Sequence, residues 1–252
     1  MTDMTTAAAG HFRVGQTLSR AWNVFIANFP KMFLIALGFT IFFTLPSLMI
    51  RDLQAGQPQQ AIPVAQLFGW IAFTVAVVIL LYPLGQAAIL YMAFQSLRGR
   101  LVSVIEALRK GLSRFWAIVG LTVLTVLGIW AGMLLLIVPG IMFAVRWSMA
   151  LPACVVEGLG PLTSMKRSAE LTKGHRWKLF GVFLLLMIVS WIVGWLIGFV
   201  LRPTDLVIAN IGSVIWSAAW TAFWYVVLVM IYHDLRVAKE GVDIERLAAV
   251  FD

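Results

Sequence analysis

Arg146 is the residue of this chain whose surroundings fit its chemistry least. It stands in an apolar run about seven residues past Pro139-Gly140, roughly 10 Å along a helix rising 1.5 Å per residue. A cation at membrane depth costs about 2.5–3.5 kcal/mol on insertion scales unless it is paired or hydrated. No Asp or Glu stands deep in an apolar run to pair with it, and Glu157 is eleven residues on, about 16 Å along a helix. Gln86, Gln95, Asn210 or backbone carbonyls are the neutral acceptors on offer. A lipid phosphate is another, because a planar guanidinium fork binds phosphate bidentately. The structural alternative is a side chain that reaches outward to the headgroups.

The other cations stand in short polar stretches. Arg109, Lys110 and Arg114 form one group, and Lys166, Arg167 and Arg176 another. With Arg146 they make the set of candidate lipid or anion contacts. Glu157, Glu170, His175, Arg176, Asp234 and Arg236 are expected to form an ion-pair layer. Glu170 lies within one helical turn of Lys166 and Lys173, a spacing that favours pairing.

Catalytic patterns are missing. The sequence has no His-Glu-x-x-His, no Gly-x-x-x-x-Gly-Lys-Ser/Thr and no Gly-x-Ser-x-Gly. His11, His175 and His233 are scattered, and Cys154 is the single cysteine. No catalytic residue, cofactor or metal is therefore expected, and no intrachain disulfide. A membrane-buried carboxylate, the usual mark of a proton relay, is not evident.

The elements that must carry these residues are apolar. Hydrophobic types make up 62% of 252 residues and charged types only 12%, too apolar for a soluble domain. A membrane span needs about 20 mostly apolar residues. Six candidate spans follow: roughly 31–50, 68–95, 116–137, 140–157, 178–201 and 211–233. Pro139-Gly140 is expected to be the tight turn between the third and fourth, making them a close hairpin. The stretch 51–66 reads as a polar external loop. Residues 1–10 read as a disordered tail with no signal-peptide pattern, and 243–250 as a short helix.

Three basic amphipathic segments precede long apolar ones: Val14–Phe29, Leu101–Phe115 and Pro161–Trp177. Aligning Ala21, Ala107 and Ala169 brings Phe29, Phe115 and Trp177 to the same offset. The reading is an all-α integral membrane protein, one domain over 11–252, with six transmembrane helices and three cytoplasmic amphipathic helices. Its three pseudo-repeats cover about 12–98, 101–158 and 161–236. Leu101, Val104, Ile105, Leu108 and Leu112 recur at helical spacing, a pattern suited either to the membrane interface or to a joint packed on the bundle.

The net charge of +8 belongs to membrane topology rather than to nucleic acid. Sixteen Lys and Arg fall on one side of the six spans, against Arg51 and Arg202 on the other. By the positive-inside rule both termini are cytoplasmic. Gly194 and Gly198 form a small-xxx-small pair that suits close packing or a homo-oligomer contact.

Several runs carry a family resemblance. They are Val138-Pro139-Gly140-Ile141, Ala144-Val145-Arg146-Trp147, Leu151-Pro152-Ala153 and Leu171-Thr172-Lys173-Gly174-His175-Arg176-Trp177. Phe12-Arg13-Val14-Gly15 and Tyr232-His233-Asp234-Leu235-Arg236 extend them. Together they resemble the bacterial membrane domain of glycerophosphoryl diester phosphodiesterase and the YciC-like inner-membrane proteins. The resemblance implies a multipass bacterial inner-membrane protein. The catalytic barrel of some such proteins has no counterpart here, so their activity does not carry over. The expected function is non-enzymatic binding or organisation of anionic membrane lipid. The alternatives are a transporter or channel for a small anionic solute, and a scaffold for a membrane-protein partner.

Overall fold

The computed structural model describes residues 14–56, 64–201 and 206–240. The tail at 1–10, the helix at 243–250, and both Arg202 and Arg246 lie outside the described residues. Ten α-helices run along these residues: α1 (Val14–Gly56), α2 (Val64–Ala76), α3 (Tyr82–Leu97), α4 (Val104–Ser113), α5 (Phe115–Leu135), α6 (Ile137–Trp147), α7 (Ala150–Val156), α8 (Pro161–Thr172), α9 (Arg176–Leu201) and α10 (Leu206–Glu240). Among the described residues there is no strand. Six helical stretches are long and apolar enough to cross a membrane: Val14–Phe42, Phe68–Leu97, Phe115–Leu135, Ile137–Val156, Arg176–Leu201 and Ile208–Glu240.

The core forms around α10. Ala218, Ala222, Val226, Val229, Met230, Tyr232 and Leu235 are all fully buried, against α1, α3 and α9. Small residues let these backbones approach closely. The second stretch crosses a π-helical turn at Val77–Leu81 just before Pro83. Proline supplies no N–H and its ring crowds the preceding turn, and a widened turn is a common way to absorb that.

Three local expectations are corrected. Val14–Phe29 is not a separate amphipathic helix, because α1 continues through Pro30 without ending. One buried stripe (Ala21, Phe25, Asn28, Met32, Ile35 and Ala36) runs across the proline. Continuous packing on α10 and α3 outweighs the lost bond. The turn between the third and fourth spans is at Leu136, which is extended, and Pro139-Gly140 lies inside the first turn of α6. Proline fits there because the first N–H groups of a helix need no helical partner. The hairpin is still close: a Cβ on Gly132 would come within 3.0 Å of the Gly140 Cα.

The fourth span is two helices, not one. It opens at Ser148-Met149, between α6 and α7. Pro152 contributes, since it supplies no N–H to the Ser148 carbonyl four residues back and its ring crowds that carbonyl. Ser168 of α8 closes the gap. Its hydroxyl donates to the Arg146 carbonyl at 2.7 Å and accepts from the Met149 amide at 3.1 Å. Thr172 adds a weaker donation to the same carbonyl at 3.4 Å. Ser168 and Thr172 are completely buried, so no water stands in for them. Ser168→Ala should therefore destabilise the protein by about 1–3 kcal/mol, read as a lower thermal midpoint in detergent. Ser113→Ala, whose exposed hydroxyl caps only its own helix at Lys110, should leave the midpoint unchanged.

Candidate functional site

Polar side chains gather where α1, α7, α8 and α10 meet. Glu157, just past α7, accepts from Arg167 Nε at 3.1 Å on both oxygens. It also accepts from the Tyr232 hydroxyl and faces Arg236 Nε at 3.8 Å. Arg167 pairs in addition with Glu240, and Arg236 reaches Glu240 at 3.2 Å. Two carboxylates, two guanidinia and a phenol thus clamp α7 and α8 to the end of α10. Burial works against the charge on Arg167, but the Glu240 and Glu157 carboxylates outweigh it and hold its pKa above the ordinary arginine value. A second cluster centres on Asp234, which accepts from Thr17 and Arg20 of α1 and lies 3.5 Å from His233 Nδ1.

These clusters decide which cations remain available. Arg167 is held by carboxylates, and Arg114 donates to the Gly158 carbonyl. Gly158 has φ +71°, and a Cβ there would strike the Arg114 guanidinium, so the contact is tight. Arg109, Lys110, Lys166 and Arg146 are exposed, and no other side chain pairs with them among the described residues. The acceptors considered for Arg146 do not reach it; only its backbone carbonyl is engaged. Glu170 engages Lys239 through its backbone carbonyl.

The α4 helix has the outward-facing orientation of the two that its spacing allowed. Ser103 caps it, accepting from the Glu106 amide at 3.2 Å. Its packing face is small: Ala107 and Gly111 are buried, and a Cβ on Gly111 would sit 3.3 Å from the Leu84 carbonyl of α3. The large apolar residues turn away from the bundle. Leu101 is 83% exposed, Ile105 70% and Leu112 61%, beside Trp116 at 78%. Arg109 and Lys110 are exposed on the same helix.

A cavity of 490 Å³ lies between α6 and the α8–α9 turn. Val138, Ile141, Met142 and Val145 of α6 form its apolar wall, with Phe180 of α9. Lys173, Gly174, Arg176 and Trp177 line its polar end. A larger apolar groove of 880 Å³ adjoins it, bounded by α5, α6, α9 and α10. Arg176 is half-buried. One of its Nη atoms donates to the Ala169 carbonyl at 3.4 Å, while its buried Nε meets no acceptor. The local field is positive: burial first, then Lys178 and Lys239, hold the His175 pKa below its usual value. The sequence signalled Arg176 but missed Lys173 as its companion. The cavity arises from tertiary contact of α6 with α9, and the only local sign was Gly174, whose φ is +88°.

A family profile matches residues 89–235, more than half of the chain. The chain belongs to the family described as a domain of unknown function, DUF7847. The DUF7847 region begins within α3 and ends within α10, so it takes in the opened span, α4 and the cavity. The match carries no link to the phosphodiesterase membrane domain or to the YciC-like proteins. No curated protein and no solved structure matches the chain. Among the described residues no three of His, Cys, Asp and Glu come together as a metal-binding group.

Glu157→Gln should lower stability by about 1.5–3 kcal/mol, the range for hydrogen bonds to charged groups. Glu106→Gln, which disturbs only a 3.5 Å contact with Tyr91, should barely move the thermal midpoint. His175 gives a pH signature. Its folded pKa is below its unfolded one, so the unfolded chain takes up more protons as pH falls. The associated stability is present above about pH 6.5 and is lost on acidification. Thermal midpoints measured from pH 8 to 5 should fall less steeply for His175→Asn than for the unaltered protein.

Proposed function

We propose that this chain is a non-enzymatic, multipass inner-membrane protein that binds and organises anionic lipid. The observation that carries the reading is α4. Its small face is packed on α3, while Leu101, Ile105, Leu108 and Leu112 face outward beside Arg109 and Lys110. An exposed apolar stripe edged by cations suits the boundary between headgroups and acyl chains. Each basic residue near an anionic surface adds about 1 kcal/mol. The wide exposure of apolar side chains on α9, such as Trp191, Trp195 and Phe199, fits hydrocarbon rather than water.

The excess of basic residues at one end of the spans supports cytoplasmic termini. The α4–α5 and α8–α9 pairs, each a short helix leading into a long one, support the repeat reading for the second and third copies. The likeness to the phosphodiesterase membrane domain supports a bacterial inner-membrane setting without the phosphodiesterase reaction. Transport is the weaker reading, because neither cavity is lined by Arg146, Gln86 or Asn210, and both are walled mainly by apolar side chains. A scaffold role would use the exposed face of α9. There Gly198 meets nothing within 4 Å, whereas a Cβ on Gly194 would touch Trp216 of α10.

Two measurements test the lipid reading. A nitroxide on Ile105→Cys, in a Cys154→Ala background, should collide with oxygen, and one on Arg109→Cys with a water-soluble relaxer. Bilayer discs of equal phosphatidylglycerol and phosphatidylcholine should enrich the anionic lipid around the protein. Arg109→Gln with Lys110→Gln should reduce that enrichment by about tenfold or more, at roughly 1 kcal/mol per charge. Equal recovery of the two lipids at moderate salt would overturn the proposal.

A further inference from the structure

We infer that the cavity between α6 and the α8–α9 turn is a discrete site for one phosphate-headed lipid, with Lys173 and Arg176 on its phosphate. This deepens the lipid reading above and rests on it. One space is lined both by two cationic residues and by an apolar wall, the combination an amphiphile requires. Arg176 brings a buried Nε with no acceptor. Lys173 is exposed, and no other side chain pairs with it among the described residues. Both residues line the cavity, so both can bring a cationic group to an anion there. The Ala169 carbonyl occupies only one Nη edge of Arg176, and weakly.

The surroundings favour the same charge. The α9 helix is 26 residues long and has no acidic residue in its first turn. Its leading N–H groups carry the positive end of the helix dipole. Lys178 and Lys239 add to the field that depresses His175. Trp177, 85% exposed at the head of α9, is an aromatic residue of the kind that marks the headgroup level.

The apolar wall commits the occupant to a lipid rather than a soluble phosphate. The α6 positions 138, 141, 142 and 145 form one helical stripe facing Phe180. The volume of 490 Å³ falls within the usual range of about 300–1,000 Å³ for small-molecule sites. Ile141, Val145 and Phe180 line both this cavity and the 880 Å³ groove. A headgroup at Lys173 and Arg176 can therefore lay acyl chain into both spaces without crossing a polar region.

Native mass spectrometry of the whole protein, released from discs of equal phosphatidylglycerol and phosphatidylcholine, tests this. One phospholipid should survive collisional removal of the remaining lipid. Its occupancy should fall by about tenfold or more in Lys173→Gln/Arg176→Gln. It should also fall in Val145→Trp, which fills the wall and leaves the cations in place. Arg109→Gln/Lys110→Gln should lose the surrounding anionic enrichment but keep the single adduct. Enrichment without a retained adduct would overturn the site while leaving the general lipid reading intact. Loss of both would overturn both. An adduct that persists in the double-cation and the filling variants would overturn the site. So would displacement of the adduct by millimolar inorganic phosphate, since the site would then take the anion alone. Thermal midpoints near that of the unaltered protein would show that the variants are folded.

Discussion

A backbone carbonyl or amide that loses its helical partner in a buried interior has no water to turn to. That constraint governs the middle of this fold. Pro152 opens the ladder between α6 and α7, and the Ser168 hydroxyl answers on both sides, as donor to Arg146 and acceptor from Met149. The repair ties α8 alongside the opened span. Because α8 is tied there, the turn that follows it is delivered against α6, and α9 starts beside an apolar wall. The cationic end of the cavity thus follows from how the break between α6 and α7 is closed.

Carboxylates are scarce, with 11 Asp and Glu against 19 Lys and Arg, and the fold concentrates several of them. Glu157 and Glu240 share Arg167 and Arg236, while Asp234 takes Arg20. These groups fasten α1, α7 and α8 to the end of α10. The acidic side chains so engaged leave few for the remaining cations. Arg109, Lys110, Lys166 and Lys173 are exposed and have no side-chain partner among the described residues. Partition between internal clamp and outward charge is therefore built into the composition.

Much of the scaffold was legible because hydropathy over about 20 residues reflects one dominant cost, that of exposing polar groups to hydrocarbon. The close α5–α6 hairpin was legible from the short break at Pro139-Gly140, although the turn itself lies at Leu136, and α4 was legible from its spacing. The errors came from prolines, whose effect depends on neighbours. Pro30 does not end α1, Pro139 sits inside a helix start, and Pro152 breaks a span one turn earlier. At the site, charge alone singled out Arg176 and Arg167 equally. The fold separates them, since Glu157 and Glu240 engage one while the other keeps a buried Nε without an acceptor. Lys173 gained its meaning only from α6, some thirty residues away in sequence.

The α9 helix differs from the rest of the bundle in how little of it is covered; 6% of its most apolar window is buried, against 50% for α10. Its 26 residues extend about 39 Å, longer than a hydrocarbon core of about 30 Å. An over-long helix is accommodated by leaning or by thickening the bilayer around it. Leaning disturbs little packing when so few side chains are engaged, whereas α10 would have to carry the whole core with it. In a bilayer, a helix so little engaged can therefore lean to match the hydrocarbon thickness, which α10 cannot do without loss of packing.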